Sequence, residues 1–459
     1  MRIAALLLFA LVLFSCRKES FTTNPDALLA VSDDTLHFDT VFTATGSVTQ
    51  MVKIYNGNSK GVRLGSIELK GGAASPFRLN VNGLPGTRFT DLAIAHEDSI
   101  YLFVSVKIDP SAAALPFVVR DSIELQYNGH TDWVQLEAFG RNAHFFRARR
   151  ITGNETWTAD LPYVILGGLE VAADATLTIR EGCRVYLHAD APLLVNGTLK
   201  VQGSDSLRVV FTGDRLDDPY RDFPASWPGL IFLDGSKDNS LQFAEIRNAY
   251  QAIVVQNPSV NGAPKLQLQE TIIDNAYDAG ILASNAHITA RNLLVSNCGR
   301  NLLLVNGGNY SFVHCTVASY ANSYLAHDNP VLIVADYLDQ AGPFRPVQAL
   351  FRNCIFWAEG GLVKSEAVAL RRGNQPFNVQ FDQVLWKVET PPANSTVTGA
   401  INNQAPQFRE IDVSKRKFDF RLTETSPAVN KGTNAGVSID LDNHSRPLQA
   451  PDLGCYESF

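Results

Sequence analysis

The chain has 459 residues, of which 45% are hydrophobic and 19% are charged, and its formal net charge is −7 at neutral pH. This composition excludes a disordered chain, and the length is sufficient for two or three domains. The excess of acidic residues argues against a nucleic-acid partner, because such a partner requires a basic face that neutralises phosphates.

The first fifteen residues have the pattern of a secretory signal peptide. Arg2 is followed by an unbroken run of twelve apolar residues from Ile3 to Phe14. A helix of that length extends only about 18 Å, which is too short to cross a bilayer. Residues 1–15 are therefore expected to be removed on export.

The first cysteine of the chain, Cys16, follows this apolar run after Ser15. Leu13-Phe14-Ser15-Cys16 resembles the bacterial lipobox, whose cysteine becomes the first residue and is acylated. The resemblance implies a lipid anchor at Cys16 and a polar tether over residues 16–27, with an ordinary secretory signal as the alternative. Asp34-Thr-Leu and Asp121-Ser-Ile also resemble the O-glycosylation signal of Bacteroidetes envelope proteins. We expect a lipoprotein of the cell envelope, held at the outer membrane.

Residues 28–146 alternate apolar and polar positions in short runs, which is typical of half-buried strands. The runs are Leu36–Phe38, Met51–Tyr55, Ile67–Leu69, Ile100–Val106, Ile123–Tyr127 and Trp133–Leu136. Turn signals such as Asn82-Gly83 and Asn128-Gly129 separate them. Seven or so short strands in about 115 residues predict a β-sandwich, and the rhythm is similar to the immunoglobulin-like modules of bacterial surface lipoproteins.

Residues 147–403 contain internal repeats at a spacing of 22 residues. Thr176–Ile179 recurs as Thr198–Val201, and we align Val185–Leu187 with Leu207–Val209 at the same displacement. Later copies begin at Ile246, Ile273, Val295, Val317 and Phe356, with successive displacements of 27, 22, 22 and 39 residues. A span of 22 residues accommodates three strands, and stacked coils pair each strand in parallel with its copy. A β-propeller, the main alternative, would need copies of about 40–45 residues.

This register brings asparagines together at one turn. Asn248, Asn275 and Asn297 share a position, and their amides are expected to bond to one another along the stack. Cys315 and Cys354 share a core position, which leaves the neighbouring His314 pointing outward.

The repeats resemble the right-handed parallel β-helix family that includes the pectate lyases, over roughly residues 150–400. The sequence therefore predicts an all-β chain with an N-terminal β-sandwich followed by a right-handed parallel β-helix. Residues 404–459 look like the closing segment of many secreted bacterial β-helix proteins, and we expect them to cap the last coil.

The resemblance also implies candidate catalytic residues. Lyases of this fold hold Ca²⁺ with acidic side chains and use a basic residue to abstract a proton. The candidates are therefore Asp274, Asp278 and Asp328, with Arg291 or Arg300 as the base, and Asp274, Asp278 and Arg291 are the preferred set. The alternative is that acidic turn residues only bond to backbone amides. No spacing in the sequence predicts a metal site, and Ca²⁺ enters only with the lyase hypothesis.

A loop between the coils contains Asp218, Tyr220, Phe223 and Trp227. Aromatic rings beside a carboxylate suit sugar binding, by stacking and by bonds to hydroxyls. Trp227 has an alternative role as the packing anchor of the next strand.

The leading hypothesis is a non-catalytic envelope lipoprotein whose β-helix binds a polysaccharide or a cell-surface protein, without a cofactor. A polysaccharide lyase or glycoside hydrolase on the same scaffold is the alternative, because the fold alone does not decide between them.

Overall fold

The computed structural model describes residues 19–42, 47, 49–108, 117–216, 218–339 and 342–458. Its contacts divide the chain into two compact units, and the chain passes from one to the other after Ala143. The fold is all-β, with short 3-10 helices at Gly72–Ala74 and Tyr220–Asp222. Among the described residues, no helix is long and apolar enough to cross a membrane. Cys16 lies outside the described residues, so its role as an anchor stays a prediction.

Two sheets form the N-terminal unit, and their inward side chains share one apolar core. The first sheet contains, in spatial order, β1 (Phe21–Thr22), β5 (Gly61–Leu69), β10 (Phe117–Tyr127), β11 (His130–Arg141) and β3 (Thr35–Phe42), with β8 (Arg88–Ile94) beside β5. The second sheet contains β2 (Ala30–Val31), β4 (Gln50–Asn56), β9 (Asp98–Val106), β6 (Phe77–Val81) and β7 (Leu84–Gly86). This is the sandwich-like arrangement that the alternating pattern predicts.

The local signals in this unit are confirmed. All six alternating runs lie within strands. Asn82 and Gly83 have φ of 50° and 91°, and Asn128 and Gly129 have φ of 45° and 83°. Two successive positive φ angles are the geometry of a two-residue hairpin turn, and these turns join β6 to β7 and β10 to β11.

The second unit is built on a sheet of 24 described strands, in which each coil pairs in parallel with the next. The strands are β12 (His144–Ile151), β13 (Glu155–Trp157), β14 (Tyr163–Val171), β15 (Thr176–Arg180), β16 (Arg184–Leu187), β17 (Leu193–Val195), β18 (Thr198–Gln202), β19 (Val209–Gly213), β20 (Leu230–Phe232), β21 (Asn239–Gln242), β22 (Ala244–Arg247), β23 (Gln251–Gln256), β24 (Leu266–Gln269), β25 (Ile272–Asp274), β26 (Ala279–Arg291), β27 (Leu294–Ser296), β28 (Arg300–Val313), β29 (Thr316–Tyr320), β30 (Leu332–Ala335), β31 (Val347–Glu359), β32 (Ala367–Leu370), β33 (Phe377–Trp386), β34 (Thr396–Thr398) and β35 (Ile401–Asn402). Parallel coils of this kind form a β-helix.

Each coil contributes one strand segment to each of three faces. In one coil these are β24 on face 1, β25 on face 2 and the first half of β26 on face 3. We call the turn after face 1 corner 1, the turn after face 2 corner 2 and the turn after face 3 corner 3. Three strands per coil is the number that the 22-residue period predicts.

Strand pairing tests the sequence register. Thr176 pairs with Thr198, and Ile273 pairs with Val295, as the repeats predict. The second alignment in the first coils is wrong, because Val185 pairs with Phe211 and not with Leu207. Corner 1 after Gln202 is longer than corner 1 after Arg180 in the preceding coil. The additional residues shift the pairing on face 2, whereas the face 1 strands before this corner remain 22 residues apart.

The C-terminal residues form a hairpin, β36 (Phe408–Asp412) and β37 (Lys417–Leu422), followed by an irregular segment. This segment lies along the flank of several coils at corner 1. Asn292 donates to the Ile439 carbonyl oxygen at 2.9 Å, and Asn353, which is two coils further on, donates to the Thr433 carbonyl oxygen at 2.7 Å. The C-terminal segment therefore covers the coils laterally, and its apolar cluster also includes Leu385 and Ile401 of the last coils.

His314 contradicts its predicted outward orientation. It lies at corner 1 with φ of 53° and is buried, and the Asn353 amide donates to its Nε2 at 2.9 Å. Burial lowers the pKa of His314 to about 3, aided by the nearby Arg446 guanidinium. The histidine fills a corner position that Asn292 and Asn353 occupy in neighbouring coils.

Candidate functional site

Corner 2 carries the predicted row of asparagines. Asn248, Asn275 and Asn297 have φ of 62°, 59° and 50°, a backbone region that asparagine tolerates better than most residues. The Asn275 amide donates to Asn248 Oδ1 at 2.7 Å. Asn297 donates instead to Asp274 Oδ1, at 3.2 Å, so only one of the two predicted amide contacts forms.

The same asparagines hold a loop over corner 2. The Asn248 amide donates to the Arg221 carbonyl oxygen at 2.7 Å, and the Asn275 amide donates to the Asp222 carbonyl oxygen at 2.9 Å. Because both acceptors belong to the short 3-10 helix, its backbone is fixed against two successive coils.

Aromatic and guanidinium contacts join this loop to two distant segments. Arg215 lies 3.8 Å from the centre of the Tyr220 ring, and Tyr220 contacts Phe223 with ring centres 5.2 Å apart. Phe223 contacts Tyr324 at 5.0 Å, and Arg416 lies 4.4 Å from the Tyr324 ring. We call these five residues the strap. The strap joins three segments of the chain, which indicates a role in holding the loops together, and its Tyr220 ring remains 43% exposed.

The remaining residues of the predicted sugar-binding loop differ in accessibility. Trp227 is 1% exposed, and its Nε1 donates to the Arg247 carbonyl oxygen at 2.8 Å. This burial leaves the ring no face for a ligand and matches the alternative role as a packing anchor. Asp218 is exposed and forms an ion pair with Arg221 at 2.8 Å.

Of the candidate catalytic residues, the structure pairs Asp278 with Arg300 and holds Asp274 and Arg291 with other partners. Asp274 ends a strand of face 2, and the Ser296 hydroxyl donates to its Oδ1 at 2.6 Å. Burial raises the pKa of the Asp274 carboxyl, against the effect of the Ser296 hydrogen bond. Arg291 lies at corner 1, where it donates to Glu270 at 3.0 Å and to Gln269 at 3.1 Å.

Asp278 lies on the far side of corner 2 from Asp274 and links three coils. The Gln251 amide of the preceding coil donates to its Oδ2 at 2.6 Å, and Arg300 of the following coil forms an ion pair with its Oδ1. We call Gln251, Asp278 and Arg300 the polar row. Both oxygens of the central carboxylate are engaged within it.

Sequence reasoning missed an exposed aromatic pair beside the polar row. Tyr250 and Tyr277 are 46% and 52% exposed, and their rings stack with centres 5.8 Å apart and planes 23° apart. A signal was present, because Asn248-Ala249-Tyr250 recurs as Asn275-Ala276-Tyr277. Each tyrosine therefore follows a corner asparagine by two positions, and the two side chains occupy equivalent positions in successive coils.

Corner 2 thus combines an accessible aromatic stack with groups that donate and accept hydrogen bonds. Such a surface suits a ligand that has both apolar CH faces and hydroxyl groups. Among the residues that the structure describes, no three His, Cys, Asp or Glu side chains cluster as metal ligands would.

No protein-family model and no curated protein sequence matches the chain. Solved structures resemble about a quarter of it. One is a family 123 glycoside hydrolase from Clostridium perfringens, studied for glycolipid glycan hydrolysis, with 9% identity and a TM-score of 0.19 over 27% of this chain and 30% of that one. Another is the ASH/PapD-like domain 7 of human CEP192, with 10% identity and a TM-score of 0.18 over 28% of this chain and 94% of that one. A third is a protein of unknown function from Porphyromonas gingivalis W83, with 9% identity and a TM-score of 0.18 over 27% and 60% of the two chains. The likeness is too small to support an argument about function.

Proposed function

We propose that this protein is a lipid-anchored, non-catalytic lipoprotein of the cell envelope, held at the outer membrane, that binds a glycan at corner 2. The observation that carries the proposal is the exposed stack of Tyr250 and Tyr277. Tyrosine rings bind sugars through contact with pyranose CH groups, and two rings fixed by the coil lose little freedom on binding.

The polar row supplies the second half of glycan recognition. Arg300 is 35% exposed and Asp278 is 18% exposed, and both lie within one or two residues of the tyrosine positions in their coils. A guanidinium has five donors, so Arg300 can keep its ion pair and still donate to ligand hydroxyls. Hydroxyl groups accept and donate, which matches a row that contains an amide, a carboxylate and a guanidinium.

The separation of Asp274 from Arg291 supports binding over cleavage, whereas the paired carboxylate and guanidinium of Asp278 and Arg300 are what the lyase alternative would use. Asp278 is paired with Arg300, Asp274 accepts from Ser296, and Arg291 is held by Glu270 at another corner. Lowering a reaction barrier by ~8 kcal/mol or more requires several groups positioned on one reacting centre.

Anchoring is tested by changing Cys16→Ser. The variant is expected to fold normally and to move from the membrane pellet to the soluble fraction, because it lacks the acylated residue. Mass spectrometry of the wild-type N-terminus should show an acylated Cys16. A variant that stays in the pellet would contradict the anchor and leave glycan binding untouched.

Glycan binding is tested by calorimetry on the detergent-solubilised lipoprotein with pectic, alginate-type and neutral glycans, with and without Ca²⁺. The double variant Tyr250→Ala/Tyr277→Ala should lose at least about tenfold in affinity, which corresponds to about 1.4 kcal/mol. Tyr101→Ala removes an exposed tyrosine of the other unit and should bind as the wild type does.

Two results would overturn the proposal. Undiminished binding by the double variant would remove corner 2 as the site. New reducing ends or unsaturated-uronide absorbance, lost on changing Asp274, Asp278 or Arg291, would replace a binding protein with a lyase or hydrolase.

A further inference from the structure

The corner that carries Tyr277 differs in length from its neighbours. The turn from Asn275 to Ala279 is one residue longer than the turns from Asn248 to Gln251 and from Asn297 to Arg300. The faces on either side keep their pairing, so the additional residue is accommodated at the corner itself. Tyr277 lies in this longer turn and is the more exposed of the two stacked tyrosines.

The following coil has no side chain at this place. Its turn contains Gly299, and a Cβ there would lie 2.3 Å from the Tyr277 carbonyl oxygen, so only glycine fits. Tyr250 of the preceding coil stacks on one face of the Tyr277 ring, and Gly299 of the following coil has no side chain that could cover the other face. Adjacent coils are about 4.8 Å apart, so the missing side chain at Gly299 leaves a gap of about one coil layer beside the Tyr277 ring.

The polar row beside this open face carries no net charge. Arg300 and Asp278 form an ion pair, and the neutral amide of Gln251 binds the second carboxylate oxygen at 2.6 Å. On the other side of Gly299, the amide of Asn329 donates to the Gly299 carbonyl oxygen at 3.3 Å. A sugar that carries a carboxylate would meet the Arg300 guanidinium, which Asp278 already neutralises, and would lie close to the Asp278 carboxylate.

We propose that the open face of Tyr277 above Gly299 is a subsite for one neutral pyranose ring, and that the Asp278–Arg300 pair discriminates against uronic acids. The inference rests on the proposed function and deepens it by naming the ligand class. The ring stacks on Tyr277, and its hydroxyls bond to the outer edge of the polar row.

The test compares two sets of defined probes by calorimetry: β-1,4-linked gluco- and galacto-hexaose as neutral ligands, and hexagalacturonate as the charged one. The wild-type lipoprotein should bind a neutral hexaose at least about tenfold more tightly than hexagalacturonate. Asp278→Asn leaves Arg300 unpaired and should raise the affinity for hexagalacturonate by about tenfold, because the free guanidinium attracts a carboxylate.

Two further variants make the result specific. Asp278→Asn/Arg300→Gln should return hexagalacturonate binding to the wild-type level. Asp174→Asn makes the same change of charge at an exposed pair with Lys237, and it should leave the preference unchanged. Circular dichroism of each variant establishes that it is folded.

The outcomes separate the two proposals. If no glycan binds, the proposed function fails and the inference fails with it. If the wild type binds hexagalacturonate as tightly as the neutral hexaoses, or if Asp278→Asn gains nothing while folded, the neutral subsite is wrong and glycan binding stands.

Discussion

The two units use different backbone geometries at the turns that join their strands. In the sandwich, Asn128 and Gly129 both have positive φ, and the chain reverses into an antiparallel hairpin. In corner 2 of the β-helix, Asn275 has positive φ and is followed by the buried Ala276, which does not. At these two turns, one left-handed residue bends the chain into the next face of a coil, whereas two in succession form a hairpin.

This difference determines which residues each unit pairs. The sandwich pairs β5 with β10, which are more than fifty residues apart and run antiparallel. Every coil of the β-helix pairs with the next coil, so contacts remain local along the chain. Repeat architectures of the second kind are stabilised coil by coil, and a defect in one coil acts first on its neighbours.

The strongest way to break this comparison is to remove one core ring from each unit. Phe351 is buried and stacks between Phe312 and Phe381, with ring centres 5.6 Å and 5.2 Å away. Phe351→Ala should lower the free energy of unfolding of the β-helix by about 3–5 kcal/mol, because it leaves a cavity between two coils. Hydrogen exchange by mass spectrometry should show loss of protection in the neighbouring coils and not in the sandwich.

Phe77→Ala is the matched variant in the sandwich, where Phe77 is also fully buried. It should remove protection across that whole unit, because its strands depend on distant partners. Equal loss of protection in both units for either variant would refute the independence of the two regions.

The asparagine corner gives a smaller effect. Asn275→Leu removes the amide bonds to Asn248 and to the Asp222 carbonyl oxygen and places a branched side chain at positive φ. The expected loss is about 1–3 kcal/mol in the free energy of unfolding, measured by urea denaturation.

Two controls separate the causes. Asn257→Leu has a similar φ of 56° on an exposed corner and should cost less, since it strands fewer buried groups. Asn275→Gly relieves the backbone and removes only the amide. Equal costs for Asn275→Leu and Asn257→Leu would show that backbone geometry alone holds the corner.

The smallest effect concerns pH. His314 has a folded pKa of about 3 against an ordinary value of 6.5, so the unfolded chain binds its proton first and stability falls as pH decreases from 6.5 towards 3. Glu457 acts oppositely, because burial raises its pKa to about 7 and its contribution is lost as pH rises from 4.5 through 7.

His314→Asn keeps the corner residue type of the neighbouring coils and removes the titration. Between pH 7 and pH 5.5 the wild type should lose on the order of 1 kcal/mol more than this variant, since one pKa unit corresponds to about 1.4 kcal/mol. The exposed His96→Asn is the control, with an unchanged pH profile in thermal denaturation. Identical profiles for the wild type and His314→Asn would show that folding does not lower the pKa of this histidine.

Many strands of both units could be predicted from local sequence patterns. The alternating runs predict strands of the sandwich, and the copies at Ile273, Val295 and Val317 predict parallel pairing in the coils. The alignment of Val185 with Leu207 fails, because the length of a corner is not encoded in the periodicity of the strands that flank it.

The sequence by itself determined the all-β class, the three strands per coil and the asparagines at corner 2, because these depend on residues within a few positions of one another. Only the tertiary structure decided that Trp227 is buried, that Arg291 lies apart from Asp278, and that Tyr250 stacks on Tyr277 in the open. Those outcomes depend on which side chains meet across coils that are 20 to 40 residues apart in the chain. One inserted residue at a corner changes which side chains contact one another between coils, without changing the alternation of apolar and polar residues in any strand.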